Sequence, residues 1–405
     1  MYGTLLKILT ALALFVCLLV PAFAQTAVDP HYYDYDADAP FSVTEAPYPA
    51  QATIGITVTR VTYPSPVVTA TPVNNTVVGY LFMPQTPGAH PAMVVEHEFI
   101  MCRAIARANI AAFLIVQPYT LERRPLVHSP DAEILSGKLP VMVSALRQTC
   151  LDARRAADWL QKRPDIDPNR LGIAGISLGG VMAPVIAGVD RRFKVVMTFV
   201  GGADIEDILW NGPLTTGLHD SLIKFGYTYQ DLRVALAPME SKRWLQGFDP
   251  KNALLFNGRY DVVIDPNQAE DSAKALGGAK MVWTNTGHYG LVLVEKDAEA
   301  VGTKFLRSRF FADAPPFHAP DTIPSRTIKI GVLYGGREGF SPLAAYQLLN
   351  FNRAGRLSLD GQLTFHGFSL GLSARTGINT SVGLELPLFH GGIKPRPFFS
   401  MNVTL

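Results

Sequence analysis

The sequence predicts an α/β protein: a doubly wound, mostly parallel sheet, followed by a small antiparallel β domain toward the C-terminus. Two observations carry this. From residue 91 onward, continuous apolar runs alternate with stretches of helical period, as expected of strands buried on both faces by crossover helices. After a Pro-rich stretch at 312–324, apolar residues recur at every second position, which is the period of a strand with one apolar face. The chain has 405 residues, enough for two domains or one large domain with additions. Its net charge of +2 argues against nucleic acid or a polybasic membrane patch as a partner.

Taken in order, residues 1–24 read as a signal peptide. Lys7 marks the n-region, residues 8–20 are apolar, and Ala22-Phe23-Ala24 is a cleavage site before Gln25. An exported chain follows, periplasmic or secreted. Residues 25–50, rich in Pro, Asp and Tyr, predict an extended arm. Residues 52–62 and 76–83 predict an antiparallel strand pair. The runs at 91–95 and 110–116 are buried strands separated by a short helix. Residues 120–138 predict an irregular loop. From Leu139, apolar residues at three- and four-residue spacing (Val143, Leu146, Cys150, Ala153, Ala157, Leu160) predict a helix that Pro164 stops.

Leu171 to Ile176 then predicts a strand running into Gly175-Ile176-Ser177-Leu178-Gly179, then a small-residue helix start that continues over 183–189, and another buried strand at 193–200. A serine on a sharp strand-to-helix turn needs neighbours without side chains, because the backbone folds back on itself there. Residues 201–249 exceed a simple crossover and carry six spread aromatics, among them Trp210 and Trp244. They predict either a lid or an insertion packed on its own aromatics. Strands at 253–256 and 281–284 and helices at 266–276 and 290–307 complete this domain, placed at 51–311. The linker is placed at 312–326 and the β domain at 327–405. That domain reads as a meander of about five strands.

Downstream of Ser177 stand Asp261, after the glycine turn at Gly258, and His288, after Gly287. With Ser177 ahead of them, they fall in the order serine, acid, histidine. On these residues the chain resembles the α/β-hydrolase superfamily over roughly residues 50–310. The resemblance is to the branch with dienelactone hydrolases, acetyl xylan esterases and prolyl oligopeptidases. It implies a serine hydrolase, with carboxylic esters the expected substrates. Ser177 is the expected nucleophile, His288 its general base and Asp261 the acid that fixes the histidine tautomer. Asp265, four residues on, competes for the acid's role.

The expected oxyanion donors are the Leu178 amide and an amide from the loop after the third strand, that of Glu98 or Phe99. Where relatives often carry His-Gly, this chain has His97-Glu98, and a carboxylate there opposes an oxyanion unless it points away. A peptidase of the prolyl oligopeptidase type is an alternative, although the propeller-sized N-terminal region expected of it is absent from the sequence. A non-catalytic envelope protein that keeps the fold is another. The resemblance also puts Cys102 and Cys150 on helices covering opposite sheet faces, implying two buried, unbridged thiols. Arg123 and Arg124 are read as a structural salt bridge in preference to a substrate clamp. No metal-ligand spacing and no cofactor motif is expected. The terminal strands are read as an accessory sheet packed on the hydrolase domain, with outer-membrane association through them the lesser alternative.

Overall fold

The computed structural model describes residues 27–96, 99–126, 133–213, 215–324, 327–335, 339–351, 357–365, 367–376, 380–388 and 395–404. The expected signal peptide lies outside them. Residues 27–32 contain a turn in which Asp29 Oδ1 accepts from the His31 amide at 2.9 Å. The strands of the main sheet are β1 (Thr44–Pro47), β2 (Ile56–Pro64), β3 (Thr76–Pro84), β4 (His90–Glu96), β5 (Ala111–Ile115), β6 (Ile166–Ile176), β7 (Phe193–Phe199), β8 (Ala253–Gly258), β9 (Lys280–Thr284) and β10 (Thr322–Ile323). They lie in the order β1-β2-β3-β5-β4-β6-β7-β8-β9-β10. β1, β2, β3 and β5 pair antiparallel, and the rest pair parallel. The predicted doubly wound sheet is present, and two edge strands extend it beyond expectation. β1 sits in the predicted arm and β10 in the predicted linker. Both are short and lack alternation, so pairing with a neighbour selects them and periodicity does not.

The helices are α1 (Phe99–Arg107), α2 (Leu139–Leu160), α3 (Leu178–Val189), α4 (Ile205–Asn211), α5 (Thr216–Lys224), α6 (Tyr229–Leu236), α7 (Pro266–Ala275) and α8 (Glu295–Phe310). Phe113 and Leu114 are adjacent along β5 and so face opposite sides of the sheet. Leu114 shares a core with Cys102 of α1 and Phe305 of α8. Phe113 packs on Trp159 of α2, ring centroids 5.0 Å apart. Cys102 and Cys150 are thus buried on opposite faces as thiols. The arm is tied down by aromatic contacts: Tyr33 packs edge-on against Trp244 at 5.5 Å, and Tyr35 donates to Asp158 Oδ2 at 2.8 Å. In the 201–249 insertion, Trp210 packs against His219 and Tyr229 at 4.7 and 5.8 Å, so these helices cover their own aromatics.

The last six strands are β11 (Ile328–Gly335), β12 (Gly339–Asn350), β13 (Leu357–Thr364), β14 (Gly367–Arg375), β15 (Thr380–Pro387) and β16 (Arg396–Thr404). The expected sheet of about five strands is instead a closed antiparallel barrel of six, sealed by β11 against β16 from Lys329↔Thr404 to Tyr334↔Phe399. The apolar face does not pack on the hydrolase domain. It points outward, while Lys329, Asp360, Gln362, Ser373 and Asn402 point inward and are buried. Lys329 Nζ donates to Asp360 Oδ2 at 2.6 Å inside the barrel. Closure satisfies both edges of the meander, which a packed open sheet leaves unpaired.

Arg123 and Asp152 are fully buried and pair at 2.8 Å. Arg123 also donates to the carbonyls of Val116 and Asn74, and Asp152 accepts from Ser65 at 2.6 Å. One ion pair therefore binds the β2–β3 connection, the loop after β5 and helix α2; Arg124 is exposed. Arg123→Ala leaves a buried carboxylate unpaired and lowers unfolding free energy by about 3–5 kcal/mol, measured by urea titration. The Arg123→Ala/Asp152→Ala double variant should lose less than the two single losses summed.

Candidate active site

Ser177, Asp261 and His288 follow β6, β8 and β9, three parallel strands. Their carboxyl ends lie along one edge of the sheet, where sites form in open α/β folds. Ser177 stands at φ 53°, ψ −117°, an uncommon conformation for a residue with a side chain. Its amide donates to Phe199 O at 2.9 Å and its carbonyl accepts from Val181 N at 2.9 Å, which holds the strained turn between β7 and α3. Gly175 is required here, because a Cβ would collide with the Gly179 carbonyl across the turn. Val200, at φ 42°, repeats such strain at the end of β7.

Ser177 Oγ lies 2.9 Å from His288 Nε2, and His288 Nδ1 lies 2.8 Å from Asp261 Oδ2. Asp261 is fully buried, and its Oδ1 accepts from the amides of Val263 and Ile264 at 2.8 and 3.0 Å. The competing Asp265 is engaged elsewhere: it caps α7, accepting from Asn267 N in a reciprocal capping box with Gln268. Leu178 is the first helical residue of α3, so the helix makes no use of its amide. Phe99 opens α1 in the same way. Glu98 and His97 lie outside the described residues.

A cavity of about 440 Å3 opens over Ser177 and His288. Its described lining is mainly apolar: Met101, Ile176, Phe199, Val263, Leu291 and Val292, with Glu295 and Glu299 also present. The described lining comes from the strand ends, α1 and residues 263–299. Helices α4 to α6 contribute none of that described lining.

Two acidic features escaped the sequence reading. Glu96, the last residue of β4, is fully buried, and its backbone carbonyl lies against Gly179. Burial pushes its carboxyl up to about 8, despite a 3.3 Å hydrogen bond from Gln117. Asp204, Glu206 and Glu240 converge with carboxylate oxygens within 4.8 Å of one another. The Lys242 ammonium lies 2.7 Å from Asp204 and 3.5 Å from Glu240, so this chain supplies a cation there itself. Burial, with Glu206 and Asp204 adding to it, pushes Glu240 up to about 7. Neither feature has a signal in sequence, because isolated acids become clusters only in the fold.

Comparison with known proteins bears on the fold. Residues 147–299 match the sequence profile of the Prolyl oligopeptidase family. A Bacillus subtilis (strain 168) protein bearing the name hydrolase YtaP is 40% identical over 53 residues; these make up 13% of this chain and 18% of that relative's length. The acetyl xylan esterase from Paenibacillus sp. R4 superposes with a TM-score of 0.55 at 16% identity, over 71% of this chain and 96% of that one. An open, mostly parallel sheet with a serine elbow after its central strand defines a class of α/β protein. The chain has that fold, the α/β-hydrolase fold, which it shares with the esterase above.

The raised Glu96 sets a pH dependence. The unfolded carboxyl titrates near its ordinary 4.5 and the folded one near 8, so the native state keeps a proton that the unfolded chain has released. The stabilisation is complete below the lower value and is lost as pH rises through the upper one. Glu96→Gln removes this loss while keeping an amide for Gln117. Its stability relative to wild type should rise by at least about 1.4 kcal/mol between pH 6 and pH 9 in urea titrations.

Proposed function

We propose that this protein is a serine hydrolase of carboxylic esters. The observation that carries the proposal is the continuous hydrogen-bonded array from Ser177 Oγ through His288 to Asp261 at the mouth of an apolar cavity. In this reading Ser177 Oγ attacks the ester carbonyl while His288 Nε2 takes its proton. Asp261 accepts from Nδ1–H and stabilises the imidazolium. The amides of Leu178 and of Phe99 or Glu98 hold the oxyanion. His288 returns the proton to the departing alcohol, leaving an acyl-serine. Water then attacks the acyl carbon, its proton passes to His288, and Ser177 is released.

The apolar lining suits an acyl chain, and the acetyl xylan esterase likeness supports esters over other acyl donors. The Prolyl oligopeptidase match favours a second reading, a peptidase using the same three residues. Export is part of the proposal and rests on the leader at residues 1–24; a mature N-terminus at Gln25 would support it.

Ser177→Ala should abolish labelling by a fluorophosphonate probe and lower turnover of short-chain p-nitrophenyl esters by at least about 10^4-fold. Retained labelling in that variant overturns the assignment, and absent labelling in folded wild type favours a non-catalytic protein. Peptide anilides turned over in preference to esters favour the peptidase.

Asp261→Asn should lower turnover about 10^4-fold by freeing the wrong histidine tautomer. Asp265→Ala should leave turnover near wild type and cost about 1 kcal/mol of stability as a lost helix cap. Activity assays paired with urea titrations separate the two aspartates.

A further inference from the structure

We propose that the C-terminal barrel is a lipid anchor: its outer wall sits in the hydrocarbon of a bilayer and holds the α/β domain at the membrane surface. The barrel is the reverse of a water-soluble one. Its interior carries the Lys329–Asp360 ion pair, together with buried serines and glutamines. Among the described residues, no charged side chain of its strands points outward between the two ends. The exterior instead exposes large apolar groups on every strand, including Val332, Phe340 (77% exposed), Leu363, Leu372, Leu384 and Met401. A water-facing surface mixes charges of both signs with polar groups, and this one has neither in its central band.

Three features point to hydrocarbon and not to another protein. First, the apolar wall runs round the whole circumference. A second copy of this chain, docked on one side, covers one arc and leaves the others in water. Second, the barrel is closed by β11 and β16, so no strand edge is left with unpaired backbone groups, as hydrocarbon demands. Third, the strands run 8 to 12 residues. At about 3.4 Å per residue and a tilt of about 40°, eight residues rise about 20 Å, close to the apolar band of membrane barrels. Tyr334, Phe340 and Phe399 neighbour one another by register near the β11–β12 hairpin, where an aromatic girdle belongs.

Six strands leave no lumen. Leu333, Leu343, Ala345 and Phe398 fill part of the interior, so the barrel anchors and does not conduct. Its other end meets the α/β domain. The Arg375 guanidinium lies 3.6 Å from the centroid of the Tyr260 ring, and a Cβ on Gly287 would collide with the Thr404 carbonyl. Tyr260 and Gly287 directly precede Asp261 and His288, so the anchor is joined to the loops that carry the site.

The test is flotation of the full chain, folded in the presence of zwitterionic phosphatidylcholine vesicles, through a sucrose gradient in 1 M NaCl. High salt and neutral lipid remove electrostatic adsorption. Wild type should move with the vesicles, and the Val332→Arg/Leu372→Arg variant should do so at least tenfold less while keeping a wild-type far-UV circular dichroism spectrum. A second measurement does not depend on that variant folding. Leu372→Trp should be quenched by brominated phosphatidylcholine more strongly than wild type, whose tryptophans at 159, 210, 244 and 283 all lie in the α/β domain. Wild type left at the bottom of the gradient as a monomer overturns the proposal. So does a soluble assembly of copies in which Trp at 372 is unquenched. The readout is independent of catalysis, so failure of the hydrolase assignment leaves it standing and the reverse also holds.

Discussion

The bonding between β8 and β9 does not stop where the strands end. Arg259 N donates to Thr284 O at 2.9 Å and Tyr260 N to Thr286 O at 3.1 Å, carrying the two chains side by side beyond the sheet. The next side chain on one chain is Asp261, and two residues on along the other is His288. Their contact is therefore set by backbone pairing, before any side-chain attraction acts. The same economy holds at the serine. Ser177 is delivered by β6, and its amide is fixed to the end of β7. The three residues meet because three parallel strands end at one edge, each extended by a short, backbone-bonded turn.

That constraint explains which aspartate faces the histidine. Asp261 and Asp265 are four residues apart in similar surroundings, and sequence spacing does not separate them. The paired backbone does. It places Asp261 opposite His288, while the amides of Val263 and Ile264 take its other oxygen and fix its plane. By Asp265 the chain has turned into α7, and the carboxylate is used in the cap. A carboxylate held at both oxygens keeps one geometry, which an orienting acid requires.

The elements most legible in the sequence were those under the strongest local constraint. Buried runs such as Val94-Val95 and Ile173-Ala174 can be little but central strands, and the glycines around Ser177 mark a turn that side chains would block. Helix α3 was legible as a small-residue start after the serine turn, against its composition. Gly179, Gly180 and Pro184 discourage a helix, yet it starts at Leu178, because tight packing against β4 and β7 needs those small residues. Strands β1 and β10 left no pattern, since they exist only as additions to an edge. Glu96 and the Asp204, Glu206, Glu240 and Lys242 group were invisible for another reason: burial and convergence are properties of the fold and not of any window of sequence.

The terminal strands show where reading a periodic pattern stops. Alternation identifies a strand with two unlike faces, and it does so equally whether the apolar face points in or out. The usual inference adds an assumption about solvent, that the apolar face turns away from water. Here strand closure fixes the outcome instead. With six strands the interior is narrow, and most residues assigned to it are small or hydrogen-bonding: Ser341, Ser358, Ser369, Ser373, Ser381 and Ser400, around the Lys329–Asp360 pair, with Leu333, Leu343 and Phe398 the large apolar side chains among them. Most of the larger Leu, Val, Phe and Met side chains belong to the other parity, and a barrel this narrow, already holding Leu333, Leu343 and Phe398, has little room to turn that parity inward. A strand register shift by one residue exchanges the faces and would have to bury those side chains in place of serines. Side-chain volume therefore favours the inverted barrel, and the apolar outer wall that results is what the lipid-anchor proposal rests on.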